Sequence, residues 1–416
     1  SRNNARPNLT KGAQMAGIAI IGAGQAGAAL AAKLRSEGYE GEIALFGRER
    51  VPPYQRPPLS KAYLLGESPK ERLFLRPETF YADQNITLHL GQTITEIDAA
   101  AQSITTAEGA VFAYDQLAFT TGAEPRRLSV EQGGGLGNVL TMRSMDDADR
   151  LAPLLEDGKR AVIIGGGYIG LEAAAVCAKR GMQVTVIEAA PRILGRVACE
   201  ETATYFRDLH EGNGVTIREG VGLDRLSGTD VVQAVHLTSG ETLAADLVLV
   251  GIGIIPETQL AEAAGVALDR GIATDEMGAT SIPHIWAAGD CTSLPYRGER
   301  IRLESVQNAI DQAEAVACNM LRAATPYIPK PWFWSDQYDT KLQIAGLNTG
   351  YDRIVIRDNG EGARSHWYYQ GDTLLAVDAM NDPRAYMVGK RLIEAGKSPD
   401  AAAIQDTSGD IKSLLR

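Results

Sequence analysis

Two short, uninterrupted apolar runs dominate the pattern of the chain, Ile18–Ile21 and Val162–Ile164. Apolar runs of this length that end in turn residues are predicted to be strands buried on both faces of a parallel sheet. Each leads into a G-x-G-x-x-G turn, at Gly22, Gly24 and Gly27 in the first case and at Gly165, Gly167 and Gly170 in the second. A helix rich in small residues is predicted after each turn, reaching Gly38 and Gly181, where glycine suits a left-handed cap. A second apolar strand follows in both, Glu42–Phe46 and Val184–Ile187. The repeat of strand, turn, helix and strand after about 140 residues predicts two nucleotide-binding units.

Between and after these units the period changes. Residues 85–121 alternate apolar and polar positions, and a similar set closes the second unit, so both regions are predicted to be β-rich. A buried strand, His284–Ala288, brings Gly289 and Asp290 to a strand end, where the carboxylate can bind a sugar hydroxyl or cap a helix. Pro326, Pro329 and Pro331 mark a linker. Beyond it, three strands and a helix over Ala385–Ala395 predict a compact α+β domain. Its first extended segment is expected to turn Trp332 and Trp334 to opposite sides. The fold class is therefore α/β, with two Rossmann-like dinucleotide-binding domains and a C-terminal α+β domain. The expected boundaries are 17–123 with 246–325 for the first domain, 124–245 for the second and 326–416 for the third. Residues 1–16 are expected to be a disordered extension.

The glycine loops carry the first candidate chemistry. The first glycine permits the tight turn, the second lets a pyrophosphate approach the backbone, and the third lets helix and strand pack closely. Helix N-terminal amides then face the phosphates. Glu188 ends the second strand of the second unit, the offset at which a carboxylate grips a ribose 2′-hydroxyl and disfavours a 2′-phosphate. This points to NADH, although Arg192 and Arg196 lie close in sequence. In the first unit Arg48 stands where the acid is expected, with Glu49 after it. Either Glu49 takes the ribose role or Arg48 packs against the adenine or a phosphate. The segment PYQRPPLSKAYL is stiffened by prolines that keep it out of a helix before about Leu59. Such a wall suits a planar ring, with Arg56 and Lys61 at its ends.

Composition narrows the classes. The 416 residues carry a net charge of −11 with no basic tract, which argues against nucleic acid as a partner. The longest uncharged apolar run, Leu247–Pro256, is far short of the roughly 20 residues that a membrane span needs. Cys177, Cys199, Cys291 and Cys318 form no C-x-x-C or zinc-like spacing, so no metal site is expected. Reduced thiols in a cytoplasmic protein are the plain expectation, and a monomer is expected in preference to a dimer.

The ordered motifs GAGQAG, PYQRPPLSKAYL, TTGAEPR, GGGYIGLE, VIEAAPRIL, GIGIIP, TSIPHIWAAGD, RLESVQNA and PWFWSDQY span nearly the whole chain. Together they resemble the FAD- and NADH-dependent ferredoxin reductases of the putidaredoxin reductase type, which serve bacterial cytochrome P450 and ring-hydroxylating oxygenase systems. The resemblance implies a glutathione-reductase-like arrangement, with FAD on the first Rossmann unit and NADH on the second. It implies that electrons pass from NADH through FAD to a [2Fe-2S] ferredoxin. FAD contacts are implied for Gly22, Gly24, Ala26, Gly27, Arg48, Arg56, Lys61, Ile94, Arg143, Asp290 and Val306. NADH contacts are implied for Gly165, Gly167, Ile169, Gly170 and Glu188. Lys61, Glu172 and Trp334 are the implied catalytic group, with Lys61 and Glu172 as an ion pair near the flavin. Arg72, Arg76, Arg300, Arg302, Lys330 and Lys341 are candidates for a positive patch that meets an acidic ferredoxin. A disulfide reductase would need a redox cysteine beside the flavin, and residues 47–75 contain none. A rubredoxin reductase, or a flavin NADH oxidase like monodehydroascorbate reductase, is the alternative.

Overall fold

The computed structural model describes residues 17–416, so the extension expected over residues 1–16 lies outside the described residues. The chain forms two compact units. One holds residues 17–55 with Lys70–Glu124 and Ile255–Pro329; the other holds Arg56–Pro69, Pro125–Ile254 and Lys330–Arg416.

In the first unit five parallel strands lie in the order Ile285–Ala287, Gln116–Phe119, Gly17–Ile21, Glu42–Gly47 and Ile86–Leu90. Every residue of Gly17–Ile21 is buried, because both faces of the sheet are covered. Ile18 and Ile20 pack toward the helices Gln25–Ser36 and Val306–Met320. Ala19 and Ile21 face the opposite layer with Phe46, Phe112 and Phe119. Above that layer runs an antiparallel sheet of Ile94–Asp98, Ser103–Thr106 and Val111–Ala113.

The second unit repeats this plan. Its parallel strands run in the order Thr216–Glu219, Gln183–Glu188, Arg160–Ile164, Leu247–Val250 and Val139–Leu140. Leu247–Val250 pairs directly with Arg160–Ile164, which corrects the boundary expected after residue 245. A fully apolar strand needs cover on both faces, and its place inside this sheet, between Arg160–Ile164 and Val139–Leu140, supplies it. The C-terminal residues add an antiparallel sheet ordered Trp332–Gln337, Thr340–Gly346, Thr373–Met380, Arg364–Gln370 and Arg353–Asp358. The helix Pro383–Ala395 covers it, with Asp382 capping one end and Gly396, at φ +67°, closing the other. Leu171 and Phe206 share a core cluster with Leu342 and Met380, so nucleotide sheet and C-terminal sheet are packed as one body.

The proline segment also belongs to this unit. Its tight turn spans Pro57–Ser60, starting earlier than expected, because proline is tolerated in the first turn of a helix. Hydrogen bonds anchor it, among them Arg56 to the Arg143 carbonyl at 2.8 Å, Tyr63 to Asp149 at 2.5 Å, and Arg180 to the Leu65 carbonyl at 2.6 Å.

Candidate functional site

Each glycine loop has one open position between two closed ones. A Cβ on Gly22 would lie 2.1 Å from the Thr120 carbonyl oxygen, and one on Gly27 would lie 2.0 Å from that of Gly22. In the second unit the corresponding distances are 1.9 Å from Gly165 to the Gly251 oxygen and 2.1 Å from Gly170 to the Gly165 oxygen. These glycines are needed for packing. Around a Cβ on Gly24 or Gly167 nothing lies within 4 Å. Both are N-caps of the following helix, and neither helix has a side-chain cap for its amides. Such uncapped helix starts fit pyrophosphate, one in each unit.

The two units differ at the acid. Glu188 is held rigidly: its carboxylate accepts from the Gly166 amide at 3.0 Å and from the Ala190 amide at 2.8 Å. Arg192 turns away to the Ala198 carbonyl at 2.9 Å, while Arg196 is exposed. Ile169, at the start of the helix, is 50% exposed beside the open glycine. In the first unit the strand register aligns Gly47 with Glu188, since Ile21 pairs with Phe46 as Ile164 pairs with Ile187. A Cβ on Gly47 would meet the Ala23 Cβ at 2.7 Å, so no carboxylate can stand there. Arg48 pairs with Glu124 at 2.7 Å on the surface, and Glu49 accepts from the Tyr54 hydroxyl at 2.6 Å.

Several other candidates gather near the first loop. Gly289 lies against Ala26, a Cβ there being 3.0 Å from that of Ala26, which brings Asp290 beside the glycine turn. Gln312, absent from the sequence-based candidates, secures this approach: its Oε1 accepts from the Gly289 amide at 2.9 Å and the Thr292 hydroxyl at 3.1 Å. Val306 opens the helix that carries Gln312, with Ser305 as its N-cap. Ile94 differs from expectation. Its side chain is only 4% exposed and sits in the core with Phe46 and Phe112, which leaves its backbone as the part that a cofactor could meet.

In the second unit Lys61 lies among carboxylates. Its ammonium is 4.0 Å from Glu172, the expected partner, but 2.9 Å from Asp336, which sequence reasoning left unassigned. The WFWSDQ motif contained the signal. Trp332–Gln337 is the edge strand of its sheet, so Lys61 can reach Asp336 and Glu172 around an uncovered rim. Burial pushes the Glu172 carboxyl up from its usual range; Lys61, the Ser335 hydroxyl and the Asp336 amide oppose that rise. Trp332 and Trp334 lie on one face, with ring centroids 5.4 Å apart. The two-residue period of a strand puts them together, which corrects the expectation of opposite sides.

Residues 16–313 match the pyridine nucleotide-disulphide oxidoreductase family, and residues 332–415 match the reductase C-terminal domain. The chain is 41% identical to the ferredoxin reductase subunit of 5,5′-dehydrodivanillate O-demethylase from Sphingobium sp., over 95% of this chain and 97% of that one. It is 39% identical to putidaredoxin reductase from Pseudomonas putida, over 96% of both. The chain belongs to the ferredoxin reductases of this family. The crystal structure of the covalent putidaredoxin reductase–putidaredoxin complex superposes with a TM-score of 0.93 at 39% identity, covering 97% of this chain and 98% of that one.

The cysteines of the reductase suit no disulfide chemistry: all four are free, and Cys177, Cys199 and Cys291 are buried. Burial pushes the Cys177 thiol up to about 12 and the Cys291 thiol up to about 11. Two of the six basic candidates are already engaged within the fold. Arg300 is drawn inward onto the Thr274 and Ser293 carbonyls at 3.1 and 2.6 Å, and Arg302 pairs with Glu304. Arg72 and Arg76 are exposed in the first unit, Arg76 lying over the Phe80 ring, and Lys330 and Lys341 are exposed in the second.

Proposed function

We propose that this reductase passes electrons from NADH through FAD to a [2Fe-2S] ferredoxin that serves a cytochrome P450 or ring-hydroxylating oxygenase. The cofactors of the family are FAD and NAD(H). The observation that carries the reading is the pair of open glycines, Gly24 and Gly167, each at the uncapped start of a helix. Gly22, Gly24, Ala26, Gly27, Asp290 and Val306 would hold FAD. The Gly167 turn, Ile169 and Glu188 would hold NADH. The chemistry that bound FAD supplies is the conversion of a two-electron donor into one-electron delivery.

The residues of the chain do the rest. The amides at the two helix starts bind phosphate charge. Glu188, fixed by two backbone amides, receives a free 2′-hydroxyl and repels a 2′-phosphate. Lys61 holds a positive charge at the end of the proline wall, where Asp336 and Glu172 stabilise it. Arg56, through the Arg143 carbonyl, stiffens the same wall. Arg48 would lie at the adenosine end of FAD, its charge balanced by Glu124. Trp334, which lies beside Trp332 on the edge strand, matches the tryptophan that the family sets near its flavin. The exposed basic residues of either unit, Arg72 and Arg76 in the first or Lys330 and Lys341 in the second, would meet an acidic ferredoxin. A cytoplasmic location belongs to this reading and is supported by the free cysteines. Among the described residues no helix is long and apolar enough to cross a membrane.

The test is NADH-dependent reduction of cytochrome c with and without an added [2Fe-2S] ferredoxin. Strong ferredoxin dependence is expected, and it should fall as salt rises, since screening acts over about 8–10 Å near physiological ionic strength. NADH reduction of ferricyanide should change much less. Equal rates with and without ferredoxin would overturn the reading in favour of an NADH oxidase, and a response to rubredoxin alone would identify a rubredoxin reductase.

A further inference from the structure

A line of hydrogen bonds leads from Glu172 into the interior of the second unit. The Ser335 hydroxyl is 2.9 Å from Glu172 Oε1, and Gln337 Nε2 is 3.1 Å from Ser335 Oγ. His210 Nε2 is 2.7 Å from Gln337 Oε1, and the Tyr338 hydroxyl is 2.9 Å from His210 Nδ1. Ser335, Gln337 and His210 are each 0% exposed, so bulk water does not reach the line. Ser335 and Gln337 share one face of the edge strand by its two-residue period. His210 reaches them from the helix Glu200–Gly212.

Only two polarisations keep every bond in the line made. In one, Tyr338 donates to His210 Nδ1, His210 Nε2–H donates to the Gln337 oxygen, Gln337 donates to Ser335, and Ser335 donates to Glu172. In the other, every donor is reversed, and the Ser335 proton turns to Gln337. A lone pair of Ser335 would then face the carboxylate. An ionised Glu172 tolerates only the first. We propose that His210, as its Nε2–H tautomer, is a positioning residue: through Gln337 it commits the Ser335 proton to Glu172 and so keeps that carboxylate an ionised partner of Lys61.

The setting agrees. Burial pushes His210 below its usual range, which keeps the ring neutral and leaves one nitrogen to accept. Burial also raises the Tyr338 phenol, which therefore stays a donor. The charged groups that bear on Glu172 are Lys61 from the proline segment and Asp336 from the edge strand; its own helix contributes none. The Ser335 hydroxyl and the Asp336 amide are the uncharged donors that support its charge. Without His210 the Gln337 side chain is free to turn its oxygen to Ser335, and Glu172 loses one of those two donors.

The experiment follows the Glu172 carboxyl band by infrared titration of cofactor-free protein, with Glu172→Gln to identify the band. His210→Leu should move the midpoint upward by about one pH unit, a tenfold gain in proton affinity, as expected for one lost hydrogen bond. His210→Gln, which restores a donor near the Nε2 position, should bring the midpoint back. An unmoved midpoint in His210→Leu overturns the proposal. So does a shift that His210→Gln fails to reverse, because packing alone would then explain it. Should His210→Leu not fold, Gln337→Met breaks the same line one step nearer Glu172 and carries the same expectation. The consequence for catalysis rests on the placement of Lys61 proposed above. The titration itself uses protein without FAD or NADH, so its failure would leave that reading intact.

Discussion

Replacing single glycines in the NADH loop separates binding from folding. Gly167 has φ −81° and ψ −177°, extended backbone that alanine adopts freely, and its Cβ would touch nothing within 4 Å. Alanine at an N-cap is poorer than glycine by up to about 1 kcal/mol, and lower entropy of the unfolded chain returns about 0.4–1 kcal/mol. Stability should therefore change by less than about 1 kcal/mol in Gly167→Ala. Binding should not be spared. A methyl in the open position keeps the pyrophosphate off the helix amides, and losing one charge-assisted hydrogen bond costs about 1.5–3 kcal/mol. That corresponds to a rise of about 10- to 150-fold in the Kd for NADH. Gly170→Ala is the contrast, because its Cβ would sit 2.1 Å from the Gly165 oxygen and the backbone must move. Overpacking of this kind costs about 1–3 kcal/mol, which a lowered Tm should report. Thermal unfolding and NADH fluorescence titration of both variants give the comparison. A Gly167→Ala protein that binds NADH as tightly as the wild type would refute the reasoning, as would equal destabilisation of the two variants.

The same open geometry at Gly24 predicts that Gly24→Ala folds but retains FAD poorly, measured as flavin released on gel filtration. Glu188→Ala should reduce the preference for NADH over NADPH by about 1–3 kcal/mol, read as the ratio of the two kcat/KM values; an unchanged ratio would remove Glu188 from the cofactor site. Lys61→Met should alter the flavin absorption bands and slow flavin reduction by NADH in stopped-flow traces, and identical traces would remove Lys61 from the site. A buried pair sets the pH dependence: burial pushes Asp378 up to about 6 and His366 down to about 3. The folded state thus takes up a proton at Asp378 more readily than the unfolded chain, which lowers stability as pH rises from about 4 to 6, and it refuses one at His366, which lowers stability as pH falls from about 6.5 to 3. The two oppose each other, so urea unfolding at stepped pH should show Asp378→Asn losing stability on acidification and His366→Gln gaining it; parallel curves would exclude this account.

The sequence by itself determined the two nucleotide units, because their signals are local. An apolar run, a glycine turn and a helix of small residues constrain one another within about 30 residues, and the strand, turn and helix follow from backbone sterics. The close-packed positions of Gly22, Gly27, Gly165 and Gly170 were legible for the same reason. What only the tertiary structure decided involves residues far apart in the chain. Asp336 became the nearest partner of Lys61 because an edge strand brings residues 275 positions apart to 2.9 Å. Gln312 and His210 carry no motif, and their roles exist only where helices bring them to Gly289 and Gln337. Ile94 went to the core and Leu247–Val250 to the second sheet, because burial on both faces of a strand depends on what the rest of the chain packs against it. Local spacing specifies turns and helix starts, whereas the pairing of buried charges and hydrogen bonds is decided when distant elements meet.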